Sequence, residues 1–297
     1  MDGFEHHRIE TNGQTLHVAT SGPQGAPVFM GLHGFPENWT AWARVARALS
    51  GRFRVVLPDQ RGFNLSSKPD GVAAYEAKHM VADLAGLLDV VAPGRRVVLA
   101  GHDWGASVAY AFAMRHGERL SHLVVANGVH PVCFQRAILR DGEQRAASQY
   151  MNTLRAEGAE TRLSRDGYRP LMNMFEKFSA APWLDDATRA AYVEAWAQPG
   201  ALPAMLNWYR GSPIEVPPLA EPLRDLAVTD TMREKYRVAA PHMLLWGDAD
   251  TALRPVCHDG LEAFCDELTV RDVPSASHWL LHERPDEVAR AIGAFVA

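Results

Sequence analysis

The stretch that most constrains this chain is Gly101-His102-Asp103-Trp104-Gly105. It lies between an apolar run, Val97-Val98-Leu99-Ala100, and a helix-like run from Ala106 to Arg115. Glycines flanking a central residue between a buried strand and a helix let the backbone reverse sharply and push one side chain outward, the geometry of a nucleophile elbow. The outward residue here is Asp103, not Ser. A carboxylate with a reference pKa of about 3.9 is ionised at neutral pH and attacks carbon without a base to activate it. The competing reading is an ordinary strand-end turn in which Asp103 caps the next helix. What separates them is whether the rest of the chain supplies what an aspartyl nucleophile needs.

Around the elbow the pattern alternates strand and helix. Residues 15–21 alternate apolar and polar positions as an edge strand would, whereas 26–32 is nearly continuous apolar and reads as a buried strand. That second run ends in His33-Gly34-Phe35-Pro36-Glu37, where Gly34 and Pro36 break regular structure at the sheet edge that binds ligands in α/β proteins. Residues 42–49 have helical spacing. Residues 54–59 read as a strand leading into the turn-rich 59–69. From Tyr75 to Val91, Met80, Val81, Leu84, Leu87, Leu88 and Val91 fall at amphipathic-helix offsets, closed by Pro93-Gly94. A strand at 123–126 follows the elbow helix. Residues 131–238 then carry helix-like stretches and no convincing strand, punctuated at Pro182, Pro199-Gly200, Pro213 and Pro217-Pro218. The α/β pattern resumes with a strand at 242–246, a helix at 257–264, a strand at 268–273 and a last helix after Pro285. The expected fold is a mostly parallel sheet with helices on both faces. Its core is 1–130 and 239–297, and 131–238 is a helical cap inserted between them.

An aspartate that attacks carbon becomes an ester, and hydrolysing that ester needs a base. His278, in the loop Pro274-Ser275-Ala276-Ser277-His278-Trp279, with Asp250 upstream in Gly247-Asp248-Ala249-Asp250, gives the chain order nucleophile, acid, histidine. Asp248 is the competing acid, but it reads more readily as a turn residue. His6, His7, His17, His79, His116, His122, His258 and His282 read as ordinary satisfied histidines. Ester hydrolysis builds an oxyanion, for which the backbone N–H groups of Phe35 and Trp104 are the candidate donors, a contribution often worth about 3 kcal/mol each. If the leaving atom is an epoxide oxygen, it needs an acid, and a phenol with a pKa of about 10 remains protonated to supply one. Tyr209, in Leu206-Asn207-Trp208-Tyr209-Arg210, and Tyr150 are the candidates, although a helical tyrosine commonly packs its ring with its hydroxyl in solvent. A halide would need only N–H dipoles.

Bulk properties narrow the partners. A formal net charge of −5 shows no basic surplus for phosphate backbones, so nucleic acid is not expected. No apolar run approaches the roughly 20 residues of a membrane helix, and the start lacks a signal-peptide pattern, so a cytoplasmic location is expected. Cys133, Cys257 and Cys265 are odd in number and have no metal-like spacing, as free thiols in a reducing compartment would. No metal or cofactor is expected.

With these motifs assembled, the chain resembles α/β-hydrolase-fold epoxide hydrolases of the soluble type, related to haloalkane and haloacetate dehalogenases. The resemblance rests on His33-Gly34-Phe35-Pro36, residues 59–69, Gly101-His102-Asp103-Trp104-Gly105, Trp246 to Asp250 and Ser277-His278-Trp279, and it spans nearly the whole chain. It implies Asp103 as nucleophile, Asp250 and His278 as the charge pair, Phe35 and Trp104 as oxyanion donors, and a cis bond before Pro36. It implies Tyr209 as the ring-opening tyrosine and Tyr150 as its partner. Phe35, Trp104 and Trp208 are then the expected substrate contacts. Haloalkane dehalogenases usually carry Asn where Phe35 stands, which tilts the reading to epoxides. Haloacetate dehalogenases hold a carboxylate with arginines beside the nucleophile, where this chain has Trp104, Gly105 and Ala106. The expected reaction is epoxide plus water to a vicinal diol on a small, apolar substrate. A dehalogenase using the same ester and a catalytically silent binding protein are the alternatives. Oligomeric state, a homo-oligomer included, stays open.

Overall fold

Eight strands form one sheet in the computed structural model, which describes residues 3–297. They are β1 (Glu5–Thr11), β2 (Gln14–Ser21), β3 (Val28–Leu32), β4 (Arg54–Pro58), β5 (Val97–His102), β6 (Leu120–Ala126), β7 (His242–Gly247) and β8 (Leu268–Val273). The sheet order is β1-β2-β4-β3-β5-β6-β7-β8. The pairs β1–β2 and β2–β4 are antiparallel and all others parallel.

Strand β5 is buried at every position because both faces of the sheet are covered. Its side chains divide by period two. Val97 and Leu99 pack with α2 (Ala77–Val91) and α3 (Trp104–His116), and Val98 and Ala100 pack with α1 (Ala43–Leu49) and α13 (Pro285–Phe295). Each such Val or Leu contributes about 1.5–3 kcal/mol by leaving water. The expected amphipathic stripe of α2 is buried at Met80, Val81, Leu84, Leu87 and Leu88.

Two expectations are corrected. Residues 15–21 are not an edge strand, since β1 covers that side. Their polar positions are paired inside the protein: His17 Nδ1 lies 2.6 Å from Asp59 Oδ2, and Thr20 Oγ1 accepts from Arg54 Nη2 at 2.9 Å. Residues 257–264 do not form one helix but parts of two 3₁₀ turns, Pro255–His258 and Leu261–Phe264. Between them Gly260 sits at φ 83°, a left-handed conformation that ends the first turn.

Between β6 and β7 run α4 (Pro131–Arg140), α5 (Gly142–Ala147), α6 (Tyr150–Arg155), α7 (Ala159–Leu163), α8 (Arg165–Lys177), α9 (Asp186–Trp196), α10 (Ala201–Arg210) and α11 (Asp230–Lys235). No strand occurs among them. A single parallel bridge, Val238 to Cys265, precedes the return to the sheet. Because β6 and β7 are direct neighbours, this helical layer leaves and rejoins the sheet at adjacent strands. The short α12 (Leu280–Glu283) precedes α13. Among the described residues, no helix is long and apolar enough to cross a membrane. All three cysteines are free, with Cys133 and Cys257 buried and Cys265 half-buried.

Candidate active site

Asp103 stands between β5 and α3 at φ 50°, ψ −120°, a backbone state that costs a non-glycine residue on the order of 1–3 kcal/mol. The flanking glycines are sterically required. A Cβ on Gly101 would collide with the backbone of Gly105 and Ala106, and one on Gly105 with the carbonyls of Leu32 and His33. Asp103 makes no side-chain hydrogen bond to the helix it precedes, so the strand-end-cap reading fails. Its Oδ1 instead accepts the Phe35 N–H at 2.8 Å.

The loop carrying Phe35 is fixed from below. Gln60 N–H donates to His33 Nε2 at 3.1 Å, which puts the imidazole proton on Nδ1, 2.9 Å from the Gly34 carbonyl. Burial holds His33 below its ordinary pKa and keeps it neutral. Gln60 Nε2 also donates to the His33 carbonyl at 2.6 Å. The Phe35–Pro36 peptide is cis. Trp104 opens α3 directly after Asp103, which puts its N–H among the unpaired donors of a helix N-terminus.

His278 lies between two carboxylates. Its Nδ1 is 2.8 Å from Asp250 Oδ2, and its Nε2 is 3.5 Å from Asp103 Oδ2. Burial disfavours a cation here, but the charges and hydrogen bonds of Asp250 and Asp103 outweigh it and raise His278 to about 10. Asp250 is fully engaged: Oδ1 accepts from Ala252 N and Leu253 N at 2.8 and 2.9 Å, and Oδ2 from Asn127 Nδ2 at 2.6 Å. Burial raises the Asp250 pKa, but His278 and these donors hold it below the usual carboxylate value. Asp248 instead accepts the Ser275 N–H on the surface, as a turn residue does.

Sequence reasoning missed two groups. Asn127, at φ 35° after β6, joins the site strands. Its side chain reaches Asp250 and takes the Gly247 N–H at 2.6 Å, while its carbonyl accepts from Asp103 N at 3.3 Å. The signal for it was Asn-Gly at a strand end, a pattern that tolerates positive φ. Glu37, fully buried, is the second. Its Oε1 faces His282 Nε2 at 2.6 Å and the Tyr192 hydroxyl at 3.1 Å, and its Oε2 faces His102 Nδ1 at 3.1 Å. His102 Nε2 in turn lies 2.8 Å from the carbonyl of His278. Burial would raise the Glu37 pKa, but the two imidazoles overcome it and hold the carboxyl well below its ordinary range.

From the helical layer, Tyr209 on α10 enters between Phe35 and Trp104, meeting both rings edge to face at 5.1 and 5.0 Å. Tyr150 on α6 meets Tyr209 at 6.3 Å. Burial above all, joined by Tyr150 and the Asp103 charge, pushes the Tyr209 phenol well above its ordinary pKa. Burial, then Asp103 and Asp250, raises Tyr150 likewise. Asp103, Trp104, Tyr150, Trp208 and Tyr209 all line one cavity of about 520 Å³. Phe35 is buried under Tyr209 and does not line that cavity, so it faces the site through its N–H. The Trp208 indole N–H is spent on the Arg61 carbonyl at 3.1 Å. Among the described residues, no cluster of three or more His, Cys, Asp or Glu is arranged to hold a metal ion.

Residues 30–291 match the Alpha/beta hydrolase family. The AB hydrolase superfamily protein YfhM of Bacillus subtilis is 34% identical over 98% of each chain. Epoxide hydrolase 3 of Xenopus tropicalis is 30% identical over 97% of this chain and 76% of its own. A solved structure from work on novel epoxide hydrolases in metagenomes from hot environments superposes with a TM-score of 0.90 at 34% identity, covering 99% of both chains. An aspartate at a strained elbow, a histidine bridging it to a second buried aspartate, and whole-length similarity of this kind place the chain in the alpha/beta hydrolase family, among its epoxide hydrolases.

Proposed function

We propose that this protein hydrolyses an epoxide to a vicinal diol through an ester on Asp103, and that residues 131–238 form the lid that completes the site. The observation that carries the reading is that two phenols, the buried Tyr209 and the half-buried Tyr150, share the cavity with the Asp103 carboxylate. The names of the relatives support the same reaction.

Oδ1 of Asp103 already sits on the Phe35 N–H, so Oδ2 is the attacking oxygen. It bonds to a ring carbon as that carbon's bond to the epoxide oxygen breaks. The departing oxygen takes the proton of Tyr209, with Tyr150 as the second donor, because their raised pKa values keep both phenols protonated. Esterification removes one of the two negative charges that hold the proton on His278. Its pKa then falls, and the proton passes to the tyrosinate, leaving a neutral imidazole. His278 next takes a proton from water as the water oxygen attacks Cγ of Asp103, while Asp250 stabilises the imidazolium. The N–H groups of Phe35 and Trp104 receive the oxyanion on Oδ1. Collapse expels the diol oxygen, which takes its proton back from His278. The regenerated Asp103 carboxyl then gives its own proton to His278, and the resting charges are restored.

A halide leaving group needs indole or amide donors. Of the two indoles lining the cavity Trp208 donates elsewhere, so a halide would have one indole donor, Trp104, instead of two. The test is single turnover of a chromogenic aryl epoxide with intact-mass detection. His278→Gln accumulates an adduct of the substrate's mass on the peptide containing Asp103, Asp103→Asn forms neither adduct nor diol, and Tyr209→Phe slows ring opening at least about tenfold. Diol formation by Asp103→Asn at the wild-type rate would overturn the ester. Halide release from a haloalkane that is indifferent to Tyr209 would reassign the reaction.

A further inference from the structure

His278 stands in the loop 274–279, which has neither helix nor strand of its own to hold it. Just beyond that loop Glu283, the half-buried last residue of α12, turns its carboxylate back toward it. Oε2 accepts the Ser277 N–H at 2.7 Å, and Oε1 accepts the Ser277 hydroxyl at 2.9 Å. The same Oε1 takes the N–H groups of Ala180 and Ala181, at 2.8 and 3.1 Å, from the link between α8 and α9. That link is folded back on itself. The Trp183 indole N–H donates to Ser179 Oγ at 2.9 Å, and the Ser179 hydroxyl donates to the Phe175 carbonyl at 2.6 Å. Trp183 then lies flat against His282, with ring centroids 3.9 Å apart and planes 7° from parallel. One carboxylate thus gathers donors from the residue before His278 and from the helical layer.

We infer, building on the ester mechanism proposed above, that Glu283 is a positioning residue for ester hydrolysis: its carboxylate clamps the loop that carries His278 to segment 179–183 of the lid. Only an ionised carboxyl presents acceptors on both oxygens to all of these donors. Glutamine has one acceptor oxygen, and its NH₂ would face an N–H whichever way it turned. Either the Ser277 amide or the lid amides then lose their partner. Displacement of a catalytic group by about 1 Å, caused from outside the chemistry, can cost about 100-fold. Ring opening does not draw on this clamp. Its groups are Asp103 at the elbow and the phenols of α6 and α10.

The experiment is single turnover of the aryl epoxide by Glu283→Gln. The ester on Asp103 forms at the wild-type rate, and its hydrolysis slows by roughly 10- to 100-fold. Once hydrolysis limits turnover, kcat and KM fall together and kcat/KM holds. Glu283→Asp keeps the charge but is one methylene too short to span both sides, and it slows the same step. Equal slowing of both steps would mark a general loosening, and unchanged hydrolysis an idle contact. Either would overturn the inference. Should Glu283→Gln fail to fold, Glu283→Asp decides by the same two rates. Should the wild type form no adduct, the ester reading fails separately, and the clamp is read from amide hydrogen exchange. Faster exchange in Glu283→Gln at both 180–181 and 277–278, with α6 and α10 unchanged, supports it. Faster exchange at one segment alone, or at neither, would sink it.

Discussion

In the proposed mechanism the Asp103 carboxylate does two things at once: it is the attacking group, and it is one of two charges beside His278 that favour its protonated form. Asparagine at position 103 is a neutral stand-in for the ester, so Asp103→Asn should lower the His278 pKa from about 10 toward neutrality, measured by NMR titration of the ring proton. The same shift moves a stability window. A histidine whose folded pKa lies above its unfolded value of about 6.5 stabilises the fold fully below pH 6.5, and that contribution is lost as pH rises through the folded pKa. In the wild type it should therefore decline steadily above about pH 6.5 and be gone by about pH 10, and in Asp103→Asn it should be gone at lower pH. Asp103, Asp250 and His278 were legible in the sequence because each sits in a short local pattern at a strand end. Asn127 and Glu37 were not. Their meaning lies in contacts with residues 123 and 245 positions away, which no local window contains.

Among the elements, strands β3 to β7 were legible from continuous apolar runs, and α2 from its stripe. Strand β1 escaped because Glu5-His6-His7-Arg8-Ile9-Glu10-Thr11 is mostly polar and exposed, and it is held by backbone pairing to β2 instead of by burial. The segment between α10 and α11 has almost no regular structure, and side chains of the helical layer tie it down, among them one buried arginine. Arg145, buried to 1% exposure, donates to the carbonyls of Ile138, Leu139 and Glu221 at 3.1, 2.8 and 2.6 Å, joining the end of α4 to the strap at 221. Methionine fills similar volume but supplies no donors, so the carbonyls lose their partners. Arg145→Met should cost about 2–4 kcal/mol in urea unfolding and open the strap to limited proteolysis near residue 221.

At the scale of the whole molecule, the sheet core and the helical layer are joined behind the site through Glu37 and Pro36. Tyr192 and Trp196 of α9 reach down to the Glu37 carboxylate and the Pro36 carbonyl, at 3.1 and 2.6 Å. Glu37→Gln keeps the shape but faces His282 and His102 with an uncharged amide. It should lower stability by about 3 kcal/mol, seen as a fall in Tm, and reduce kcat by loosening the His278 loop that His102 supports. The alternation of strand and helix made this architecture legible, including the long helical stretch. The Glu37 tie was not, because the residues it joins come from opposite ends of the chain. One consequence belongs to the pairing of β6 with β7. A layer that departs and returns through adjacent strands can be lengthened, shortened or exchanged without shifting any strand register. The loops that hold Asp103, Asp250 and His278 stay where they are, while the walls that select what reaches them are free to differ. Under the proposed function, the molecule thus keeps its reagent and its choice of substrate in separately replaceable parts.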